Sequence, residues 1–157
     1  MQESSKTLDR IDIKILRILQ AEGRLTNAEL AARVNVSAAT CHRRTQRLFD
    51  EGYITGVRAE IAPGAVGLGA LVMVGVVLDR STPASFAAFE AAVLDLKDVL
   101  DCNLVAGDFD YLLKIRVRDM ADFNKLHGQE LIALPGVRQT RTFFVMKEVK
   151  ENARLPF

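Results

Sequence analysis

The sequence predicts an α+β protein in which three helices and a β-hairpin are followed by a second domain with the element order βαββαβ. Two observations carry this prediction. Up to Gly52 the apolar residues recur at the three- and four-residue spacing of helix faces, whereas beyond Gly69 they form strand-like runs interrupted by two helical segments. Between the two patterns, residues 62–69 are rich in Gly and Pro, as linkers are. We therefore expect two domains, over residues 8–69 and 70–157.

The first domain opens with two helical patterns. Ile11 and Ile15 recur one turn apart on one helix face, and Gly23 ends that pattern. Thr26 and Glu29 have the spacing of a capping box, in which the hydroxyl accepts from an early backbone N–H and the carboxylate reaches back. The second helix therefore begins just after Thr26.

A tight turn separates the second helical pattern from the third. Asn35 tolerates the left-handed conformation that such a turn needs, and Ser37 is a favoured helix N-cap. The third helix places Cys41 and Leu48 on its apolar face. Two short helices joined in this way form a helix-turn-helix, and residues 53–61, which contain a central glycine, predict a β-hairpin that serves as its wing.

The second domain has the pattern of a ferredoxin-like fold, an antiparallel sheet with its helices on one face. We expect strands over 71–78, 99–105, 111–117 and 137–149, and helices over 83–93 and 121–131. The last strand places Phe144 on one side and Phe143 on the other. Because both sides hold large apolar groups, we expect the face without helices to be buried against another subunit.

The composition excludes several classes of protein. Hydrophobic residues make up 49% of the chain and charged residues 26%, which fits a buried core with a solvated surface. No apolar run approaches the roughly 18 residues of a membrane span, and the first six residues carry no secretion signal. Cys41 and Cys102 lack the CxxC spacing, which is typical of proteins in a reducing cytosol. We expect a cytoplasmic protein that does not contact a membrane.

The third helix carries a local excess of positive charge. From Ser37 to Phe49 the chain holds three arginines and one histidine, with no acidic residue. With Cys41 taken as the inward direction and 100° per residue, the outward face comprises Ala39, Arg43 and Gln46, flanked by Thr40, His42 and Arg47. An α-helix fits the major groove of B-DNA, where Arg can pair with guanine and Gln with adenine. The pattern therefore predicts a DNA-reading helix.

The neighbouring residues are suited to the phosphate backbone. Ala38 and Ala39 are small enough to let the helix N-terminus approach the duplex, and its free N–H groups together with the Ser37 hydroxyl suit a phosphate. Arg44 points sideways, as a phosphate contact or an intramolecular brace. The full set of candidate DNA contacts is Arg33, Ser37, Ala38, Ala39, Thr40, His42, Arg43, Arg44, Gln46, Arg47 and Arg58. The alternative is that these arginines only solvate a helix face.

Five fragments lie in order along the chain: LDRID at 8–12, NAELA at 27–31, GYITG at 52–56, GDFDY at 107–111 and LPGV at 134–137. Together they span both predicted domains, and through them the chain resembles the Lrp/AsnC family of leucine- and asparagine-responsive transcription regulators. The resemblance implies dimers formed through the C-terminal sheet, often assembled into octamers, and an amino-acid effector held near residues 107–111. The chain departs from the family at Asn35, where glycine is usual, and at Thr45, where Val or Ile is usual.

The resemblance also assigns an effector site to the loop between the middle strands. Backbone N–H groups at Gly107 and Asp108 can bind a carboxylate, and Asp110 can pair with an α-ammonium. The effector candidates are Gly107, Asp108, Phe109 and Asp110 in the loop, with Leu104, Tyr111, Met120, Ile132, Phe143 and Phe144 as apolar walls, some of which belong to the core. No further charged group is placed to match a charged side chain, so we expect an apolar or small amino acid. Without the resemblance, the loop is a plain β-turn.

Together with the resemblance, these observations predict a sequence-specific DNA-binding regulator whose DNA binding or assembly a small amino acid modulates. The resemblance implies that it controls genes for amino-acid metabolism or transport. An enzyme is the first alternative, but only His42 and His127 are present, with no Ser/His/Asp set, HExxH motif or phosphate-binding glycine loop. We predict no catalytic residue, metal or cofactor, and Cys41 and Cys102 offer no ligand set for a metal or thiol sensor. A DNA organiser that binds without an effector stays open as the second alternative.

Overall fold

In the computed structural model, which describes residues 7–157, the chain forms two compact units. The described part of the first unit comprises residues 7–60 together with 150–157, and the second unit comprises residues 61–149. The second unit therefore begins before the glycine-rich linker, and the last eight residues join the unit that is distant from them in sequence. The sequence instead predicted two continuous domains, over residues 8–69 and 70–157. The side-chain contacts that hold the C-terminal residues on the first unit cannot be recognised from a hydrophobic pattern.

The first unit contains three helices: α1 (Arg10–Ala21), α2 (Asn27–Val34) and α3 (Ala38–Asp50). Their starts and turns confirm the predictions. Thr26 and Glu29 form the capping box of α2, and the Ser37 hydroxyl accepts from the backbone of Thr40 at the start of α3. Asn35 takes the left-handed conformation with φ 59° and ψ 53°. The turn that separates α2 from α3 is thus built by the residue predicted to build it.

A small apolar core joins the three helices. Ile15 of α1 and Cys41 and Leu48 of α3 are fully buried, and Leu30 and Val34 of α2 complete the contact. Cys41 is thus a core residue, as its position on the apolar face predicted. The core fixes which side of α3 faces inward and leaves the opposite side in solvent.

The predicted β-hairpin after α3 is not formed, since no residue between 53 and 61 lies in a strand. The backbone N–H of Ile54 instead donates to the carbonyl oxygen of Leu48 at 3.0 Å and ties the start of this segment back to α3. A hairpin of two strands is at best marginally stable without a third strand or a helix to cover it. We call residues 53–60 the wing segment, which forms no β-ladder.

The second unit contains a short 3-10 turn (Pro63–Val66), strands β1 (Ala70–Leu78), β2 (Val99–Leu104), β3 (Tyr111–Val117) and β4 (Val137–Phe144), helices α4 (Pro83–Val93) and α5 (Met120–Leu126), and a π turn (His127–Leu131). The sheet order is β2-β3-β1-β4 and each neighbouring pair is antiparallel. The predicted ferredoxin-like fold is confirmed.

The last strand is shorter than predicted. It ends at Phe144 rather than Val149, although the backbone N–H of Val145 still donates to Leu71 at 3.0 Å. The neighbouring strand β1 begins at Ala70, so residues beyond Met146 have no strand to pair with. The apolar composition of this segment suggested a strand, but the length of its partner decides where pairing stops.

The two faces of the sheet differ in what covers them. Val72, Val74 and Val76 of β1 point to the side of α4 and α5, where Phe89 and Tyr111 are fully buried with them. The opposite side, which we call the open face, carries Phe143 with half of its surface exposed. Among the described helices, none is long and apolar enough to cross a membrane.

Candidate nucleic-acid interface and effector loop

The outward side of α3 presents the residues that the helix geometry predicted. His42, Arg43 and Gln46 are exposed, whereas Cys41 and Leu48 are buried on the other side of the helix. Within residues 7–157, Arg43 takes part in no ion pair, so its guanidinium is available to a ligand. The Gln46 amide donates to the Asp50 carboxylate at 2.9 Å, one turn further along.

Arg44 and Arg47 are committed to the fold instead. The Arg44 guanidinium lies 2.6 Å from a carboxylate oxygen of Asp9 and 2.9 Å from one of Asp12, and Arg47 lies 2.5 Å from the other Asp12 oxygen. Asp12 is 1% exposed, and the two arginines satisfy the buried carboxylate. In this cluster, which we call the α1–α3 ion cluster, Arg44 acts as an intramolecular brace, one of the two roles expected for it. Arg47, predicted to flank the DNA face, serves the same brace.

The electrostatics of the cluster follow from its contacts. The backbone N–H of Asp12 and the Arg44 guanidinium both donate to Asp9, and together they lower the pKa of that carboxyl to about 2. The reciprocal contact with Asp9, followed by that with Asp12, raises the pKa of Arg44. Both partners are therefore held in their charged forms, and α3 is fixed against the N-terminus of α1.

The start of α3 is anchored in a similar way. The Ser37 hydroxyl donates to the Thr40 hydroxyl at 2.9 Å and accepts from the Thr40 N–H at 3.2 Å. The Asn27 amide donates to the carbonyl oxygen of Ala38 at 2.9 Å, which joins the first turn of α2 to that of α3. Ala38 and Ala39 are both exposed, so this end of the helix is small and open.

Two further arginines of the predicted interface lie outside α3. Arg33, in the last turn of α2, forms a bidentate ion pair with Glu22, in which the two guanidinium nitrogens donate to the two carboxylate oxygens at 2.7 and 2.9 Å. This pair is exposed, so it contributes little stability and can be exchanged for a phosphate contact. Arg58 is exposed on the wing segment.

In the second unit, the loop predicted to bind an effector closes tightly between β2 and β3. The Val105 N–H donates to the carbonyl oxygen of Asp110 at 2.9 Å, and Gly107 has φ +150° within this turn. The Asp110 carboxylate accepts from the Leu78 N–H at 2.7 Å, so it caps the end of β1. Asp108 is exposed at the tip.

Phe109 folds over the open face of the sheet. A Cβ on Gly75 would lie 2.6 Å from two carbons of the Phe109 ring, so only glycine leaves room for that ring on β1. The ring also meets Phe143 edge-on at 6.2 Å, and the Arg141 guanidinium lies 6.0 Å from its centroid. The structure thus brings Phe109 and Phe143 together.

The other predicted effector residues are distributed over the rest of the unit. Tyr111 belongs to the core: it packs on Phe89 at 4.5 Å, and its hydroxyl donates to Glu90 at 2.7 Å. Burial and then this hydrogen bond raise the pKa of Tyr111. Phe144 meets Phe123 on the helix side of the sheet, opposite to Phe143. Leu104, Met120 and Ile132 are exposed at the end of β2, the start of α5 and the end of the π turn.

Sequence reasoning missed the structural roles of Asp12 and Gly75. Asp12 lies on the same helix stripe as Ile15 and Leu19, and an acidic residue on an apolar stripe indicates a buried partner. Gly75 interrupts an otherwise β-branched and aliphatic strand, which is typical of a close approach by another group. In the described part of the chain, no three His, Cys, Asp or Glu side chains are grouped closely enough to hold a metal ion.

A helix-turn-helix with an exposed basic face, followed by a ferredoxin-like unit with an open sheet face, defines the class of two-domain DNA-binding regulators. Family models match both parts: a winged helix-turn-helix DNA-binding domain over residues 8–55 and the Lrp/AsnC ligand-binding domain over residues 71–155. The chain belongs to the Lrp/AsnC family. It is a DNA-binding transcription regulator with an amino-acid ligand-binding domain.

Relatives and solved structures agree with this assignment. The chain is 48% identical to the leucine-responsive regulatory protein of Salmonella typhimurium over 150 residues, which cover 96% of this chain and 92% of the relative. The Escherichia coli K12 protein of the same name is 47% identical over the same coverage. A Neisseria meningitidis transcriptional regulator, solved in complex with L-Met, superposes with a TM-score of 0.90 at 38% identity, covering 96% of this chain and 97% of that one.

Proposed function

We propose that this regulator reads DNA through the outward side of α3 and that an apolar amino acid, bound by the second unit, modulates its DNA binding or assembly. The observation that carries the first half is the division of the arginines on α3. Arg44 and Arg47 are held by the buried Asp12 carboxylate, whereas Arg43 is exposed beside Gln46. The braced pair orients the helix and the exposed pair is left for the bases.

Each outward residue has a distinct proposed role. Arg43 pairs with a guanine and Gln46 with an adenine, and each such contact discriminates against a wrong base by roughly 1–3 kcal/mol. His42 and Thr40 flank this face, and the exposed alanines at the start of α3 let its N–H groups approach a phosphate. Arg58 and Arg33 contact phosphates on either side, after Arg33 leaves Glu22.

The proposed effector is an apolar or small amino acid. Backbone N–H groups at Gly107 and Asp108 bind its carboxylate, and Asp110 contributes to binding of the ammonium. Phe109 and Phe143 supply an apolar wall on the open face. The leucine-responsive relatives and the neighbour bound to L-Met support an apolar side chain. Leu104, Met120 and Ile132 stay candidate walls, completed by a partner subunit, whereas Phe144 packs on Phe123 on the helix side of the sheet.

Oligomerisation is part of the proposed mechanism. The net charge of the chain is only +1, so one DNA-binding unit attracts DNA weakly. Two such units joined in a dimer make the second contact intramolecular, which raises affinity by a factor of roughly 10²–10⁴. We propose that the open face is the dimer interface, that dimers assemble further into octamers in the cytoplasm, and that the DNA site is near-palindromic. The regulated genes are proposed to serve amino-acid metabolism or transport.

Isothermal titration of the purified protein with each of the twenty amino acids tests the effector half. We expect binding of leucine, methionine or a similar apolar amino acid, and a change in DNA affinity or in elution volume on a sizing column when it binds. If none of the twenty amino acids binds, the effector half of the proposal is wrong. Weakly selective DNA coverage that no amino acid alters would favour the alternative, an effector-independent DNA organiser.

A further inference from the structure

The last eight residues fold with the DNA-binding unit, although the strand that precedes them lies in the second unit. Asn152 turns the chain with φ +45°, a left-handed conformation that asparagine tolerates better than most residues. Pro156 then restricts Leu155 to an extended backbone. The backbone N–H of Phe157 donates to the carbonyl oxygen of Leu155 at 3.2 Å, which closes a γ-turn over Pro156 and ends this segment.

The side chain of Gln20, in α1, binds both the backbone N–H and the backbone carbonyl of Leu155. Its side-chain amide donates to the Leu155 carbonyl oxygen at 3.1 Å and accepts from the Leu155 N–H at 2.9 Å. The N–H and C=O of an extended residue point to the same side, so a single carboxamide satisfies both, as a neighbouring strand would. Arg17, one turn earlier, donates to the main-chain oxygen of Phe157, and its guanidinium lies 6.0 Å from the Phe157 ring.

The segment lies in an apolar groove that the wing segment helps to form. Leu155 and Phe157 line a cavity of about 480 Å³ together with Leu16 and Leu19 of α1 and residues 53–57. Asn152 and Arg154 border a second cavity that reaches Gly56, Val57 and Arg58. The C-terminal residues therefore share the walls of two cavities with residues 53–58 and Glu60 of the wing segment.

The wing segment needs such support because it has no β-ladder of its own. Its start is tied to α3 through Ile54, and further along the Val57 side chain packs over Gly23, with its Cγ1 only 2.9 Å from where a Cβ would be. Arg58 follows directly, exposed and proposed to contact a phosphate. The position of that arginine therefore depends on what packs against residues 53–57.

We propose that residues 153–157 act as a strap that seats in the groove between α1 and the wing segment and holds Arg58 in place for DNA. The DNA-binding unit then needs the far end of the chain for full affinity. The strap also connects the two units a second time, since the chain enters the second unit at residue 61 and returns to the first at residue 150. The link to DNA affinity rests on the proposed phosphate contact of Arg58.

The test uses full-length protein carrying Gln20→Ala, Leu155→Asp, Arg58→Ala or the double change Gln20→Ala with Arg58→Ala. Gln20 and Leu155 are both exposed, so neither substitution disturbs the core. Gln129→Ala, the same substitution on the exposed side of the π turn, is the matched control. Amide hydrogen exchange is measured over residues 53–60, and affinity is measured for a mixed-sequence DNA duplex at several salt concentrations.

Gln20→Ala and Leu155→Asp are each expected to speed exchange over residues 53–60 by about tenfold, because loss of the paired hydrogen bonds shifts strap docking by roughly that factor. Both weaken DNA binding several-fold, whereas Gln129→Ala changes neither quantity. Arg58→Ala lowers the salt slope by about one, and adding Gln20→Ala to it costs little further affinity. If amide exchange over residues 53–60 is as slow in Gln20→Ala and Leu155→Asp as in Gln129→Ala, the proposed strap is wrong. If Arg58→Ala alone leaves DNA binding unchanged, the phosphate contact fails, and the exchange data alone decide whether the strap holds the wing segment.

Discussion

Within the described residues, the first unit buries six apolar residues in its core, whereas the second buries fourteen. The second unit is held by valines, phenylalanines and leucines packed between a sheet and two helices. Side-chain caps begin the helices of both units, and the first adds the α1–α3 ion cluster around a buried carboxylate. Because a small core supplies little free energy, polar contacts have a larger share in the first unit. On α3, Arg44 and Arg47 accordingly serve the fold, whereas Arg43 is exposed and is proposed to contact DNA.

The comparison predicts that the second unit is most sensitive to loss of apolar volume. Phe89 is fully buried and packs on Tyr111 at 4.5 Å. Phe89→Ala is expected to destabilise the second unit by about 3–5 kcal/mol, through lost transfer free energy and the cavity that remains. The free energy of unfolding is measured by chemical denaturation, and amide exchange shows which unit is destabilised. Phe89→Leu, which removes less volume, is the control. Equal destabilisation of the helices of the first unit would break the comparison.

The first unit should respond most to loss of one buried carboxylate. Asp12→Ala leaves Arg44 and Arg47 without their shared partner and removes an acceptor from the start of α1. We expect a loss of about 2–4 kcal/mol, at or below the range for a fully buried pair because the two guanidiniums stay partly exposed. Faster amide exchange in α1 and α3 is the readout, and the exposed Asp50→Ala is the control. A loss no larger than that of Asp50→Ala would show that the cluster does not hold α3.

A smaller effect is expected at the capping box of α2. Thr26→Ala removes the acceptor of the Glu29 N–H, a contact of 3.2 Å, and leaves the Glu29 carboxylate without the Thr26 hydroxyl. The expected cost is about 1 kcal/mol. Thermal unfolding checks it, and Thr26→Ser, which keeps the hydroxyl, should retain most of the stability. A Thr26→Ser protein as weak as Thr26→Ala would assign the effect to the methyl group instead.

The smallest expected effect is on the stability of the first unit at low pH. The pKa of Asp9 is lowered from 3.8 to about 2 in the folded protein, first by the Asp12 N–H and then by Arg44. A lowered folded pKa contributes stability that is fully present above about pH 4 and is lost as the pH falls towards 2. Asp9→Asn should therefore flatten the pH dependence of stability of the first unit in that window. A pH profile identical to that of the wild type would mean that Asp9 is not charge-stabilised.

The sequence predicted the helices, the caps of α2 and α3 and the order of the elements along the chain, because these follow from local spacing and from the two hydrophobic periodicities. The winged helix-turn-helix was predicted correctly, but its hairpin was not: residues 53–61 have a strand-like composition and form no strand. Helix geometry placed Arg43 outward and Arg44 sideways, but the role of Arg44 stayed open because its partners Asp9 and Asp12 lie more than thirty residues away. The contact between Gln20 and Leu155 could not be predicted either, because these two residues are 135 positions apart in the sequence.

Sequence selectivity of the Arg43→Ala protein tests the central claim most directly, namely that the exposed side of α3 reads bases while its braced side serves the fold. DNA sites are selected from a random pool with the wild-type protein, and the affinity ratio of selected to mixed-sequence duplex is then measured for both proteins. We expect a ratio roughly 5–150-fold lower for Arg43→Ala, corresponding to one lost base contact, with thermal unfolding unchanged. An unchanged ratio would show that Arg43 does not read a base.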